Sequence, residues 1–264
     1  MLRKGCEKMD SFFKDTLPHN RAFSEMLRPA KEQVKRLSPD SIAQRSGAVF
    51  HKSDGVLELQ SLNQTVRIAV PEYTFSPRLE EWHQLVILHY LALADGTAVS
   101  DQIITFGGLK DGLIRGTKFD HDMEKGLQRF LNGKTPDGIR KICRSLGAEF
   151  ADSNADLCAV FHFLPNYPVW LKVWLADEEF EASGKFYISK SADCYLTMED
   201  AVTVGEILLS KLNADKHSPA SSARSAKRWM GCLCPLYSFF EIIFYKSSSR
   251  WSWIRKVSNP PLIN

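Results

Sequence analysis

The chain has 264 residues, 44% hydrophobic and 25% charged, with 34 Lys/Arg against 31 Asp/Glu and a formal net charge of +3. That is the composition of an ordinary globular protein, long enough for one sizeable core or one domain with extensions. No run of 18 apolar residues occurs and the start, MLRKGCEKMDSFF, has no apolar signal core, so neither a standard transmembrane helix nor a leader is expected and the cytoplasm is the default location.

Residues 1–37 read as an extension that is helical in part, with Pro18 and Pro29 as breaks. Ser38-Pro39 opens a short helix, Ser38 as cap and Pro39 in its first position, ending at Gly47. Residues 48–52, 56–61 and 65–70 alternate as strands, and Asp54-Gly55 and Asn63 supply the turns of an antiparallel meander. Ser76-Pro77 then predicts the start of the longest helix, residues 78–94, closed by Asp95-Gly96 and apolar nearly all round in its second half. His83 and His89 lie six apart, which does not suit a helical metal pair, and His89 reads as a hydrogen-bonded core histidine.

Residues 103–116 (IITFGGLKDGLIRG) form a glycine-punctuated loop with no Gly-Lys-Ser/Thr behind it, so a phosphate cradle is not supported. Residues 119–131 and 136–146 are two amphipathic helices, the second closed by Gly147. Residues 157–164 (LCAVFHFL) are apolar on both faces, as in a strand covered on both sides, and 165–168 (PNYP) carry turn chemistry. In 169–175, Val169, Leu171, Val173 and Leu175 face one way and Trp170, Lys172 and Trp174 the other. The aliphatic row is core. The Trp-Lys-Trp row is either a face under a helix, with Lys172 reaching outwards, or a ligand wall of indole faces.

An acidic knuckle, Asp177-Glu178-Glu179, follows, with Phe180 expected to bury its ring as an anchor. Three carboxylates suit a hard metal, a cationic partner or a general base, although a charged run between strands is usually a solvated turn. After a third strand, Thr197 to Asp200 spell a capping box that opens a helix with Ala201, Val204, Leu208 and Leu212 on one stripe.

The run from Pro165 and Pro168 through Trp174, Asp177 to Phe180, Tyr195-Leu196 and Glu199-Asp200 resembles the prokaryotic family called domain of unknown function 3786, over roughly residues 20–213. Phe106, Leu109 and Gly112 match a family loop of the form Phe-Arg-Glu-Leu-Pro-Gly-Gly, whereas Gly107, Gly108, Lys110 and Asp111 depart from it. Any function carried by that Arg and Glu is therefore expected to be lost here. Fusions of some members with iron–sulfur modules found beside corrinoid proteins in anaerobes imply a link to corrinoid or iron–sulfur metabolism.

The six cysteines, at 6, 143, 158, 194, 232 and 234, include no Cys-x-x-Cys pair, and the first four read as free thiols. No nucleophile elbow, dinucleotide fingerprint or zinc-protease helix occurs, and within 38–213 basic residues are not interleaved with aromatics as on a nucleic-acid surface. Eight of the 34 Lys/Arg but only two of the 31 Asp/Glu lie in residues 214–264, a net +6 against −3 for the rest. With the resemblance ending at Asn213 and periodicity lost, that tail reads as a shifted-frame or fused segment. The competing reading is a basic, Trp-bearing stretch in weak contact with anionic membrane.

The expectation is an α+β domain over residues 38–213, antiparallel strands packed on helices. Two functions stay open. One is a binding or accessory domain for a small molecule or protein partner, its cofactor unnamed. The other is an enzyme using the Asp177, Glu178 and Glu179 carboxylates, with or without a divalent metal. The expected site is Trp174, Asp177, Glu178 and Glu179, with Tyr195 and the loop from Phe106 to Gly112 beside them.

Overall fold

The structure, a computed structural model, describes residues 21–214 together with 246–247 and 250–251. The chain forms two compact units, Met1–Asp215 and Lys216–Asn264. Among its described residues the first unit is an α+β domain of six α-helices and two antiparallel sheets.

Helix α1 (Arg21–Lys35) lays Phe23, Ala30 and Val34 on helix α3 (Glu81–Leu93), where Phe23 meets Trp82 edge to face at 6.4 Å. Pro29 sits inside α1 rather than breaking it, because it lies on the exposed side, where solvent lowers the cost of a missing N–H. Helix α2 (Pro39–Ser46) follows the expected signals: Ser38 accepts from Ser41 N, and Gly47 closes it at φ +73°.

Strands β1 (Val49–His51), β2 (Val56–Ser61), β3 (Gln64–Ala69) and β4 (Thr74–Ser76) form a meander in that order. Leu57 pairs with Ile68 and Leu59 with Val66, which puts four buried side chains on one face. Ser76, expected to open a helix, is instead the last residue of β4, paired with Arg67. This ladder delays α3 to Glu81 and shortens it to 13 residues, below the 17 of α4 (Arg115–Leu131) and the 16 of α6 (Met198–Asn213).

The second sheet runs β5 (Ile103–Ile104), β9 (Ser183–Ser189), β8 (Tyr167–Trp174), β7 (Leu157–Leu164), β6 (Glu149–Phe150). Tyr167 and Pro168, expected in the turn, belong to β8. Pro168 is tolerated because the register shifts opposite it, between His162 and Leu164, where a bulge relaxes the ladder. One face is sealed: Val169, Leu171, Val173, Phe186 and Ile188 are buried, with Val169 opposite Ile188 and Leu171 opposite Phe186. Helix α4 lies on this face. A Cβ added to Gly184, opposite Val173, would stand 3.3 Å from Leu127 and Leu131.

Helix α5 (Pro136–Ser145) leads from α4 back to β6, capped by Thr135. Helix α6 opens with the expected capping box, and Ala201, Val204, Leu208 and Leu212 are all buried. The two sheets meet at a corner, where Leu62 N donates to His162 O at 2.9 Å and Ser61 Oγ donates to Phe163 O at 2.8 Å. In the second unit the described residues are a short ladder, β10 (Lys246–Ser247) antiparallel to β11 (Arg250–Trp251). The expectation for the tail otherwise falls outside the described residues.

Candidate functional site

The acidic knuckle is tied by its own backbone. Asp177 Oδ1 accepts from Glu179 N at 2.9 Å and Phe180 N at 2.7 Å, and Asp177 N donates to Phe180 O at 3.0 Å. Those amides, Glu179's first, hold the Asp177 carboxyl below the usual range. Asp177, Glu178 and Glu179 all point into solvent. Phe180 does not anchor the turn: its ring is 70% exposed, because the Asp177 bonds close the loop without it. Phe180→Ser is therefore expected to change stability by less than about 0.5 kcal/mol in urea unfolding, and a larger loss would show a packed ring.

Trp174, paired with Ser183, ends β8 beside the knuckle. Tyr195 lies beyond the opposite end of β9, stacked on Tyr90 at 5.7 Å with its hydroxyl donating to Thr97 O. Phe106 is core, edge-on to Phe119 at 4.8 Å. The structure thus gathers Trp174, Asp177, Glu178 and Glu179, and gives Tyr195 and Phe106 packing roles elsewhere.

The Phe106 loop is a closed knot. Buried Asp120 accepts Phe106 N at 3.0 Å and Gly107 N at 2.9 Å, using the amides an anion would need. Gly116 N donates to Gly112 O at 2.8 Å. A Cβ at either Gly112 or Gly116 would overlap the Phe106 carbonyl oxygen. Where the family form has Arg, Gly107 leaves no room for a side chain, since its Cβ would stand 2.6 Å from Thr117 Oγ1.

The Trp-Lys-Trp row lies on the face of the five-stranded sheet away from α4. The reading of that row as covered by a helix therefore gives way to a partly open one. Trp170 pairs with Tyr187 and Lys172 with Lys185, and all four, with Trp174, are half-buried. Lys172 Nζ bonds Asn154 Oδ1 at 2.9 Å and stands 5.4 Å from the centre of the Tyr187 ring. Lys185 Nζ reaches Glu124 at 2.7 Å.

Both helix α3 histidines are engaged, differently. His83 is 2% exposed, 4.9 Å from Phe163 ring to ring, and 2.8 Å from Ser61 Oγ. The Ser61 proton goes to Phe163 O, so Ser61 accepts from His83 Nε2–H, and the imidazole is neutral and cannot serve as base to that serine. Burial lowers the His83 pKa to about 4, helped by the charge on Lys211. His89 instead bonds a carboxylate: Nδ1 to Asp200 Oδ1 at 2.6 Å, with Asp200 Oδ2 accepting from Thr197 Oγ1 at 2.6 Å. The His89 side chain is 22% exposed and Asp200 is buried, so the capping box doubles as a holder for the imidazole. Sequence reasoning found the cap and the histidine but not their union. The residues are 111 apart, and no local spacing signals the pair.

Among the described residues, no group of three or more His, Cys, Asp or Glu could hold a metal ion. Cys143 and Cys158 are buried and Cys194 partly so, and burial pushes the Cys143 thiol up to about 12. These residues do not fit an iron–sulfur cluster, which needs several thiolates converging. None of the described helices is long and apolar enough to cross a membrane.

No curated protein and no solved structure matches the chain. The family model described as Domain of unknown function (DUF3786) matches residues 38–211, well over half of the sequence, and the chain belongs to that family.

Proposed function

We propose that this is a cytoplasmic binding or accessory domain rather than an enzyme, and that its binding surface is the open sheet face ending in the acidic knuckle. The carrying observation is that Trp170, Lys172, Trp174 and Tyr187 share a partly exposed face while the opposite row of the same strands is buried. Indole and phenol faces beside an ammonium suit a flat, apolar group with polar or anionic edges. A corrin ring has that chemistry, and the family resemblance implies a setting in corrinoid or iron–sulfur metabolism. The competing enzyme reading has less behind it, because the three knuckle acids diverge into solvent and Asp177 serves its own turn.

The test begins with anaerobic purification of the chain, followed by visible spectra and metal analysis. Hydroxocobalamin is then titrated against tryptophan fluorescence. Trp170→Ala with Trp174→Ala is expected to weaken binding by about tenfold, the loss of one good stacking contact. Unchanged affinity in the double variant would overturn the sheet-face reading. Saturable Mn²⁺ binding lost in Asp177→Asn with Glu179→Gln would replace it with the enzyme reading.

A further inference from the structure

We infer that the open sheet face takes a free nucleotide, its base stacked on the Trp170 indole and its phosphate held by Lys172. The inference rests on the sheet-face reading and narrows its ligand to a heteroaromatic ring that carries a phosphate. Three observations set the parts of such a site side by side.

The first is the register. Across β8 and β9, Trp170 is directly opposite Tyr187, Lys172 opposite Lys185 and Trp174 opposite Ser183, so these side chains occupy consecutive positions on one face. At about 3.3 Å per residue, Lys172 stands about 7 Å along the strand from either indole. That is the reach from a stacked base to its own phosphate. On β7 the residues opposite are short, Val160 beside Trp170 and Cys158 beside Lys172. No bulky side chain at those positions stands against the indole, and Trp170, Trp174 and Tyr187 all keep exposed surface.

The second is charge. Two ammonium groups directly opposite each other repel. Lys185 is answered by Glu124 at 2.7 Å. Lys172 is not: it bonds the neutral amide of Asn154 at 2.9 Å, and its ammonium lies 5.4 Å from the centre of the Tyr187 ring. Among the described residues no carboxylate pairs with it. The face therefore holds a cation without counter-charge beside an aromatic pair, the complement of a base with an anion attached.

The third is what bounds the row. Beyond Trp174 come Asp177, Glu178 and Glu179, all exposed. Three carboxylates there repel a second phosphate, so a single nucleotide fits where a nucleic-acid strand does not.

The probes are AMP and adenosine, which differ by the phosphate alone, each titrated into the full chain by calorimetry. AMP is expected to bind about tenfold more tightly than adenosine, the worth of one charge-assisted hydrogen bond, and added salt should narrow the gap. Lys172→Gln should close it, weakening AMP to the level of adenosine while leaving adenosine unchanged, which also shows that the variant is folded. Trp170→Ala with Trp174→Ala should weaken both ligands alike. No binding of AMP, equal affinities in the wild type, or a gap that survives Lys172→Gln overturns the inference. In any of these cases, hydroxocobalamin or adenosine bound through the two tryptophans would leave the sheet-face reading standing, whereas binding indifferent to them overturns both.

Discussion

Gly116→Ala is expected to destabilise the domain by about 3 kcal/mol, the upper range for forcing an atom into a filled site. The sign is the informative part. Gly116 lies in the first turn of α4, where Ala normally gains up to about 1 kcal/mol over Gly. Here the added carbon would overlap the Phe106 carbonyl, which is backbone and held by the Asp120 bonds on either side of it. Gly133→Ala is the control: at φ +71°, with no atom within 4 Å, it should cost only about 1 kcal/mol, through backbone conformation alone. Urea unfolding measures both. A Gly116→Ala protein as stable as wild type would show that the loop is not seated on α4 as described.

Acidification from pH 7 to pH 4 should remove roughly 3 kcal/mol of stability through His83 alone. The folded-state pKa is about 4, against 6.5 for the unfolded chain. Between those values the unfolded chain takes up a proton that the folded one refuses, so falling pH favours unfolding. Above 6.5 and below 4 this contribution to the slope vanishes. Glu80, Glu199 and Glu206 act the other way, since burial raises their pKa values and protonation is then easier in the folded state. His83→Gln separates the two, as it keeps a donor for Ser61 and cannot titrate. The loss should appear as a difference in pH slope between wild type and variant in denaturant melts. Parallel slopes would place His83 in contact with water.

What was legible in the sequence was local. Ser38-Pro39 and Thr197 to Asp200 carry their helix starts in their own side chains, and both are capped in the structure. The alternation in β8 likewise foretold which row is buried, because the pleat leaves no choice once one residue is placed. Boundaries failed where a distant partner decides them. Ser76 extends a strand because Arg67 is opposite, and Pro168 joins one because β7 bulges. Of the expected site, Trp174 and the three acids lie together because they are neighbours along the chain. Tyr195 does not join them, because the length of β9 separates it from them. The His89–Asp200 pair was out of reach for the same reason, a contact made only by packing α3 on α6.

The bond from Ser61 to Phe163 has a consequence for the order in which the protein is made. Its partners are 102 residues apart. At about 10 residues per second, the ribosome delivers Phe163 roughly ten seconds after Ser61. A small antiparallel sheet forms in microseconds, so the meander has its strands long before it has its neighbour. During that interval Leu57, Leu59, Val66 and Ile68 form an apolar row still lacking the β7 corner. The nascent chain is thus most open to chaperones, and to its own aggregation, while residues 77–163 are being synthesised.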